Sequence, residues 1–167
     1  MIPVGIRGNR RTERFACFLC PDAVGERVTP EQLARARGWA REPHNRLPAF
    51  AELPHAEAVL SRLGVQWGPA GSVAFELVSG EPAVTLQSDL DLLIRLPQRI
   101  SSREAARLEA ALRGTRVRVD VRAELPGGFV ALAELALGRA TMLLRTDAGP
   151  VSVSDPWDTP RREVRSR

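Results

Sequence analysis

The sequence contains no lysine and no tyrosine, and among its 167 residues are only two cysteines and two histidines. The cysteines form a single pair, and His44 and His55 have no metal-ligand spacing, so the sequence argues against a zinc site. Cys17 and Cys20 lie in an apolar segment that is typical of a strand, and we interpret both as small buried hydrophobic residues. For the two histidines we expect surface or packing roles.

Long apolar runs are missing as well. None approaches the ~18 residues needed to cross a bilayer, and the first residues, MIPVGIRGNRR, lack the apolar core of a secretory signal. These absences favour a cytoplasmic protein without a membrane partner. A content of 44% hydrophobic and 26% charged residues predicts a globular chain of one domain or two small lobes.

Every basic residue is arginine, and the net charge is +4. Arginine stays charged and binds phosphate and carboxylate through a planar fork. An anionic partner is therefore favoured: a nucleotide, a nucleic acid or an acidic protein surface. Nucleic acid fits less well, because the arginines are dispersed and only 5% of the residues are aromatic, which leaves no visible stacking platform.

The pattern of secondary structure predicts an α+β fold. Capping boxes at Thr29 and at Ser101 begin two helices, and further helices are predicted over 49–63, 72–79 and 127–138. Strands are predicted over 14–19, 65–67, 89–95 and 116–122, and in the segments TMLLRT and PVSVS. Helices alternate with strands through the later two thirds of the chain, which indicates a mixed sheet with helices on one face.

Three parts are predicted along the chain. A small N-terminal lobe covers residues 1–46, the main domain covers 47–160, and a basic tail covers 161–167. The first boundary rests on the polar segment REPHNRLP, which is typical of a loop or linker.

Aspartates interrupt two of the predicted strands. Asp89 and Asp91 lie on the polar face of 89–95, and Asp120 lies on the polar face of 116–122, because side chains alternate along a strand. If the two strands are neighbours, the three carboxylates converge and repel one another unless a cation is present. Hard oxygen ligands favour Mg²⁺. The sequence therefore predicts a magnesium site formed by all three aspartates.

Gly71 and Ser72 precede a short helical pattern upstream of the aspartates. Glycine lets the backbone approach a phosphate, the first amides of a helix attract anions, and Ser72 adds a hydroxyl donor. We predict that Gly71, Ser72 and Arg95 contact substrate phosphate. In the alternative interpretation, Gly71 and Ser72 only cap a helix and the aspartates only end a strand or face solvent.

The Gly-Ser pair, the D-x-D of SDLDLLIRL and a third aspartate on a later strand together resemble the nucleotidyltransferase superfamily of the DNA polymerase β type. GSVAFELVSG and SDLDLLIRL are more closely similar to the phosphoribosyl-dephospho-CoA transferases, also called malonate decarboxylase holo-acyl-carrier-protein synthases. PVGIRG, RVRVDVRAELPGGFVALAELA and DPWD add to this resemblance, which covers most of the chain and is strongest over 68–136.

The resemblance implies a nucleotidyltransferase domain after a small N-terminal lobe, and a defined reaction. The phosphoribosyl-dephospho-CoA group of 2′-(5″-triphosphoribosyl)-3′-dephospho-CoA passes to a serine of the apo acyl carrier protein of malonate decarboxylase, and diphosphate leaves. Asp89 and Asp91 match the catalytic carboxylates of the family, Gly71 and Ser72 match its phosphate-binding pair, and Asp120 matches the third carboxylate of the superfamily.

One departure from the family pattern concerns the beginning of the chain. The family usually has a further stretch before the PVGIRG-like segment, which Met1 almost abuts here, so we expect a truncated N-terminal lobe.

Three alternative functions stay open: another small metal-dependent nucleotidyltransferase that acts on a protein or a small molecule, a basic nucleic-acid-binding module, and a non-catalytic homologue that still associates with the decarboxylase machinery.

Overall fold

The computed structural model describes residues 1–8, 13–40, 46–114 and 116–158, which form eight strands and five α-helices. None of these helices combines the length and the apolar character that crossing a membrane requires. His44 and the predicted basic tail lie outside the described residues. The strands are β1 (Ile2–Arg7), β2 (Arg14–Leu19), β3 (Trp67–Pro69), β4 (Leu90–Arg95), β5 (Val119–Leu125), β6 (Gly128–Ala131), β7 (Met142–Thr146) and β8 (Gly149–Val153). The helices are α1 (Pro30–Ala36), α2 (Pro48–Arg62), α3 (Gly71–Ser79), α4 (Ser102–Leu112) and α5 (Leu132–Leu137).

The strands form two separate sheets. β1 and β2 pair antiparallel with each other, with Ile2 opposite Leu19 and Ile6 opposite Phe15. The other six strands form a mixed sheet in the order β3-β4-β5-β6-β7-β8. In this sheet β4 and β5 run parallel, and the remaining neighbours run antiparallel. The predicted α+β fold with a mixed sheet is confirmed.

The hydrophobic core lies on one face of the six-stranded sheet. Leu90, Leu92 and Ile94 of β4 are all but inaccessible to solvent, because every second residue of a strand points to the same face. Phe50 of α2 and Leu132 of α5 belong to the same cluster. The polar residues of β4 and β5 therefore lie on the opposite face.

Helix α1 precedes the part of the chain for which helices on one face are predicted, and it lies on the other face of the sheet. Trp67 of β3 is buried in the core, so the next residue, Gly68, faces the other side of the sheet, where a Cβ would overlap the backbone of Pro30. Glu31 of α1 also pairs with Arg95 of β4. Helix α1 thus packs on the polar face, because glycine leaves room there for its backbone.

Trp39 links the segment after α1 to the core. Its side chain is buried, and its ring centroid lies 6.1 Å from that of Trp67. The predicted domain boundary at residue 46 stays a prediction, but the core on the main sheet already includes a residue that precedes it.

Local sequence signals correctly predict where several helices begin or end. Both predicted capping boxes are present: the hydroxyl oxygen of Thr29 accepts a hydrogen bond from the Gln32 amide at 3.3 Å, and that of Ser101 accepts one from the Glu104 amide at 3.2 Å. Gly80, at φ 74, ends α3 in the left-handed conformation that glycine adopts readily.

Two predicted elements differ in the structure. The strand predicted over 116–122 is β5 at Val119–Leu125, because pairing begins only where its neighbour β4 begins, with Leu90 opposite Val119. The helix predicted over 127–138 is split into β6 and α5. Phe129 and Val130 pair with β5 across a tight turn, and tertiary pairing there outweighs the helical pattern of the sequence.

The predicted burial of the cysteine pair is also wrong. Cys17 is half-buried and Cys20 is exposed, because β2 pairs with β1 alone and Cys20 follows the end of that strand. His55 is exposed on α2, as expected for a surface role, and one of its ring nitrogens lies 2.8 Å from the carbonyl oxygen of Ala111.

Candidate active site

Two carboxylates lie side by side where β4 and β5 run parallel. Asp91 of β4 is the register partner of Asp120 of β5, and both side chains point away from the core face. Asp91 is half-buried, and 41% of the Asp120 side chain is exposed. Neighbouring strands are spaced about 5 Å apart. The two strands are neighbours, which is the condition for the predicted convergence, and their pairing brings two of the three predicted carboxylates together.

The amino end of α3 lies against Asp91. The amide of Ala70 donates a hydrogen bond to the carbonyl oxygen of Asp91 at 2.9 Å. Gly71 has φ 58, and a Cβ at this position would overlap Oδ2 of Asp91. Both the backbone conformation and the close approach thus require glycine. The first amides of α3 are held beside the carboxylate, where they favour a negative charge.

Ser72 is half-buried in the first turn of α3. The residue that caps this helix is Ala70, which has no side-chain acceptor. Within the described ranges the Ser72 hydroxyl has no hydrogen-bond partner. The side chain of Ser72 therefore does not cap the helix. The alternative interpretation, in which Gly71 and Ser72 only cap α3, lacks the side-chain hydrogen bond that such a cap would make.

Asp89 stands apart from the other two carboxylates. It precedes β4 by one residue, is exposed, and lies about 7 Å along the chain from Asp91. In the described part of the chain, no group of three or more His, Cys, Asp or Glu side chains is close enough to hold a metal ion. The three-aspartate magnesium site therefore stays a prediction.

The pair formed by Asp91 and Asp120 nevertheless suits Mg²⁺ by its chemistry. Mg²⁺ often binds through one or two carboxylates and takes its remaining ligands from substrate phosphates and water. Both side chains are partly exposed, which leaves access for such ligands. The donor set fits the ion without a third carboxylate.

A cavity of about 460 Å³ opens beside the carboxylate pair. Strand β6 pairs with β5 only from Arg122 onward. On that side, the first residues of β5 have no neighbouring strand in the described chain and border the cavity. Its volume falls within the range of roughly 300–1,000 Å³ that is usual for ligand sites. The charged residues of its lining are Asp91, Glu109, Arg113, Arg118, Asp120, Arg122, Glu134 and Arg145.

Arg95, predicted to contact phosphate, lies elsewhere. It is four residues, or about 13 Å, from Asp91 along β4, and its guanidinium pairs with Glu31 and Glu124. The hydrogen bond to Glu31 raises the pKa of Arg95 against the opposing effect of burial. Burial alone would raise the pKa of Glu31, but the bond from Arg95 and local hydrogen bonds lower it below its ordinary value. The structure does not bring Arg95 to the carboxylate pair.

Two buried glutamates hold the loops that lead into β4 and β5, and sequence reasoning missed both. Glu76 of α3 accepts hydrogen bonds at Oε2 from the amides of Ala83 and Val84 at 2.8 and 2.7 Å. Glu52 of α2 accepts one at Oε1 from the Arg116 amide at 2.9 Å. A buried carboxylate needs such partners. The signal was present in the sequence, since each glutamate falls in the apolar stripe of its helix.

These features define a class of site. Carboxylates on adjacent parallel strands offer hard oxygen ligands, the first turn of α3 offers amides to an anion, and arginines line the neighbouring cavity. Such a site is suited to a phosphate-bearing ligand that is bound together with a divalent cation.

The chain belongs to the phosphoribosyl-dephospho-CoA transferase family, a family of transferase enzymes. The family model described as "Phosphoribosyl-dephospho-CoA transferase MdcG C-terminal domain" matches residues 32–156, from α1 to the residues just after β8. The resemblance noted in the sequence is thereby confirmed at the level of the family.

Curated relatives agree with this assignment. Proteins named phosphoribosyl-dephospho-CoA transferase from Pseudomonas fluorescens, Pseudomonas syringae pv. tomato and Azotobacter vinelandii are 40%, 42% and 38% identical to the chain. The matches cover 94%, 93% and 93% of this chain, and 74%, 72% and 74% of the relatives. No solved structure matches the chain, so the nucleotidyltransferase type of the fold stays a prediction.

Proposed function

We propose that this protein transfers the phosphoribosyl-dephospho-CoA group of 2′-(5″-triphosphoribosyl)-3′-dephospho-CoA to a serine of the apo acyl carrier protein of malonate decarboxylase. The observation that carries the proposal is the pair of Asp91 and Asp120, held in parallel register beside Gly71 in a chain of this family. Its cytoplasmic location stays a prediction from the sequence.

The reaction is a substitution at phosphorus. The serine oxygen of the carrier forms a bond to the α-phosphorus of the donor, and the bond from that phosphorus to the bridging oxygen of the β-phosphate breaks. Diphosphate leaves, and the serine proton is lost. A serine hydroxyl is a weak nucleophile at neutral pH and needs an adjacent base or a metal ion.

Asp91 and Asp120 would hold Mg²⁺ in this reaction. When bound, the ion supplies charge neutralisation for the transferring phosphoryl group and the departing diphosphate. The first amides of α3 have no side-chain cap, because the capping residue is Ala70. These amides and the Ser72 hydroxyl donate hydrogen bonds to phosphate oxygens of the donor. Asp120, which is partly exposed on the cavity side, accepts the proton of the serine hydroxyl.

The test is intact-mass analysis of the carrier protein after incubation with this protein, Mg²⁺ and the triphosphoribosyl donor. We expect one phosphoribosyl-dephospho-CoA group on one serine and one diphosphate released for each transfer. A carrier with that serine replaced by alanine is the control and should stay unmodified.

A parallel incubation with ATP tests the alternative nucleotidyltransferase. Labelling of the carrier with AMP from ATP, without labelling from the triphosphoribosyl donor, would overturn the substrate assignment while leaving the fold as it is. Labelling by neither donor would favour the non-catalytic homologue.

A further inference from the structure

Two arginines on the polar face of the sheet have no ion-pair partner among the described residues. Arg122 of β5 and Arg145 of β7 are exposed and line the cavity beside the carboxylate pair. Arg118 lines the same cavity but pairs with Asp120 at 2.7 Å. Two cations that line the cavity are thus unpaired within this part of the chain and are free to bind a ligand.

The register of the sheet puts both arginines on the same face as the catalytic pair. Arg122 lies two residues, or about 7 Å, from Asp120 along β5. Phe129 of β6 is the register partner of both Glu124 and Arg145, so Arg145 shares that face. One strand separates the two arginines, a lateral distance of about 10 Å, which two long side chains can bridge towards one ligand.

The carboxylates of the cavity wall do not account for these cations. Glu109 and Glu134 line the cavity from α4 and α5 and not from the sheet. Glu134 is already engaged, because its Oε1 accepts a hydrogen bond from the amide of Leu143 at 2.8 Å.

We propose that Arg122 and Arg145 bind phosphate groups of the nucleotide donor, an inference that rests on the proposed function. The planar fork of a guanidinium can donate to two phosphate oxygens at once, and the ammonium group of lysine does not reproduce this geometry. The donor carries such oxygens in two places, its triphosphate and the diphosphate bridge of the dephospho-CoA part. Arg122 and Arg145 take the phosphate-binding role predicted for Arg95, whose charge is matched by two glutamates.

Calorimetric titration tests the binding directly. Dephospho-CoA and inorganic triphosphate are titrated separately, in the presence of Mg²⁺, into the wild type, Arg122→Gln, Arg145→Gln and the control Arg103→Gln. Arg103 is exposed in the first turn of α4 and does not line the cavity. We expect each cavity variant to bind one of the probes at least about tenfold more weakly, which is about 1.4 kcal/mol, and the control to bind as the wild type does. The affected probe shows which end of the donor the arginines hold.

Transfer kinetics separate this inference from the proposed function. In Arg122→Gln and Arg145→Gln we expect the donor KM to rise more than kcat falls, with partial recovery in the Arg→Lys variants. If the wild type transfers the group while both variants keep the wild-type affinity for both probes, the arginine assignment is wrong and the function stands. If the wild type binds the probes through these arginines but labels no carrier, the proposed function fails and the anion site stands.

Discussion

The two ends of the β4–β5 pair carry acidic and basic side chains on the same face of the sheet, but the surroundings of these side chains differ. At one end, Arg95 lies between Glu31 and Glu124, and the three side chains form ion pairs on a surface that α1 partly covers. At the other end, Asp91 and Asp120 stand in register beside an open cavity, and Arg118, which precedes β5, pairs with Asp120. Like charges side by side are unfavourable unless a cation joins them.

The difference lies in what the charges border: one group links α1 to the sheet, and the other lines a cavity that a ligand can enter. Charges that are matched within the chain contribute to packing, and the ion pairs of Arg95 tie α1 to the sheet. Asp91 and Asp120 line a cavity together with Arg122 and Arg145, which have no ion-pair partner among the described residues and can bring an anion to it. Substitutions at the two ends should therefore separate loss of activity from loss of stability.

The largest effect should come from the D-x-D aspartates. Asp91→Asn removes a charge that would hold the metal together with Asp120, and Asp89→Asn removes the second carboxylate that the family resemblance assigns to the metal. Both keep the side-chain shape, and we expect each to lower the transfer rate at least ~100-fold. Circular dichroism should show an intact fold. Near-normal turnover in both variants would remove the metal site from the account.

Gly71→Ala should lower activity strongly as well, because a Cβ would overlap Oδ2 of Asp91. Gly80→Ala is a matched control at the other end of α3: its φ of 74 is just as unfavourable for alanine, but a Cβ there meets nothing within 4 Å. Both variants should lose on the order of 1 kcal/mol in free energy of unfolding. Only Gly71→Ala should lose activity, and equal transfer rates in the two would show that the contact with Asp91 is unimportant.

Ser72→Ala should act mainly on donor binding. One hydrogen bond to a charged phosphate is worth roughly 1.5–3 kcal/mol, so we expect the donor KM to rise at least about tenfold. Titration of the donor in steady-state assays measures this. Unchanged KM and kcat would return the Gly-Ser pair to a purely structural role.

The smallest effect is expected at the end of the strand pair that holds Arg95, and it concerns stability in acid. The folded-state pKa of Glu31 is lowered by its hydrogen bonds, so its contribution to stability is present above its unfolded value of about 4.5 and is lost as the pH falls through the folded value. We expect Glu31→Gln to be less stable than the wild type near neutral pH, by about 1 kcal/mol or less. Below pH ~4 the difference should shrink.

Urea unfolding at several pH values measures this contribution, and Glu26→Gln, at an exposed position before α1, is the control. A stability difference for Glu31→Gln that stays constant into acid would contradict the assigned ion pair. A loss of transfer activity in the same variant would contradict the structural role of this end.

Much of the fold could be predicted from local signals. The strand over 14–19, both capping boxes and the ends of α3 follow from residue types within a few positions of one another. The adjacency of Asp91 and Asp120 followed from alternation in two strands, once those strands were assumed to be neighbours. What local patterns do not contain is the identity of a partner strand.

The differences between the sequence predictions and the structure have that common cause. The sequence of β6 suits a helix as well as a strand, and only its pairing with β5 decides between the two. The prediction that Arg95 contacts phosphate takes no account of its partner Glu31, which is 64 residues away in the sequence. Arg122 and Arg145, which we propose to bind phosphate, give no such signal in the sequence for the same reason: their shared face becomes visible only through Phe129 of β6.

The most direct measurement compares two isosteric changes on one strand face, Asp120→Asn and Glu124→Gln, by single-turnover transfer to the carrier followed by intact mass. The two residues lie four positions apart on β5, one in the carboxylate pair and one in the ion pairs of Arg95. We predict that Asp120→Asn slows the transfer step far more than it weakens donor binding, and that Glu124→Gln transfers at close to the wild-type rate with a lower free energy of unfolding. Equal transfer rates in the two variants would contradict the account.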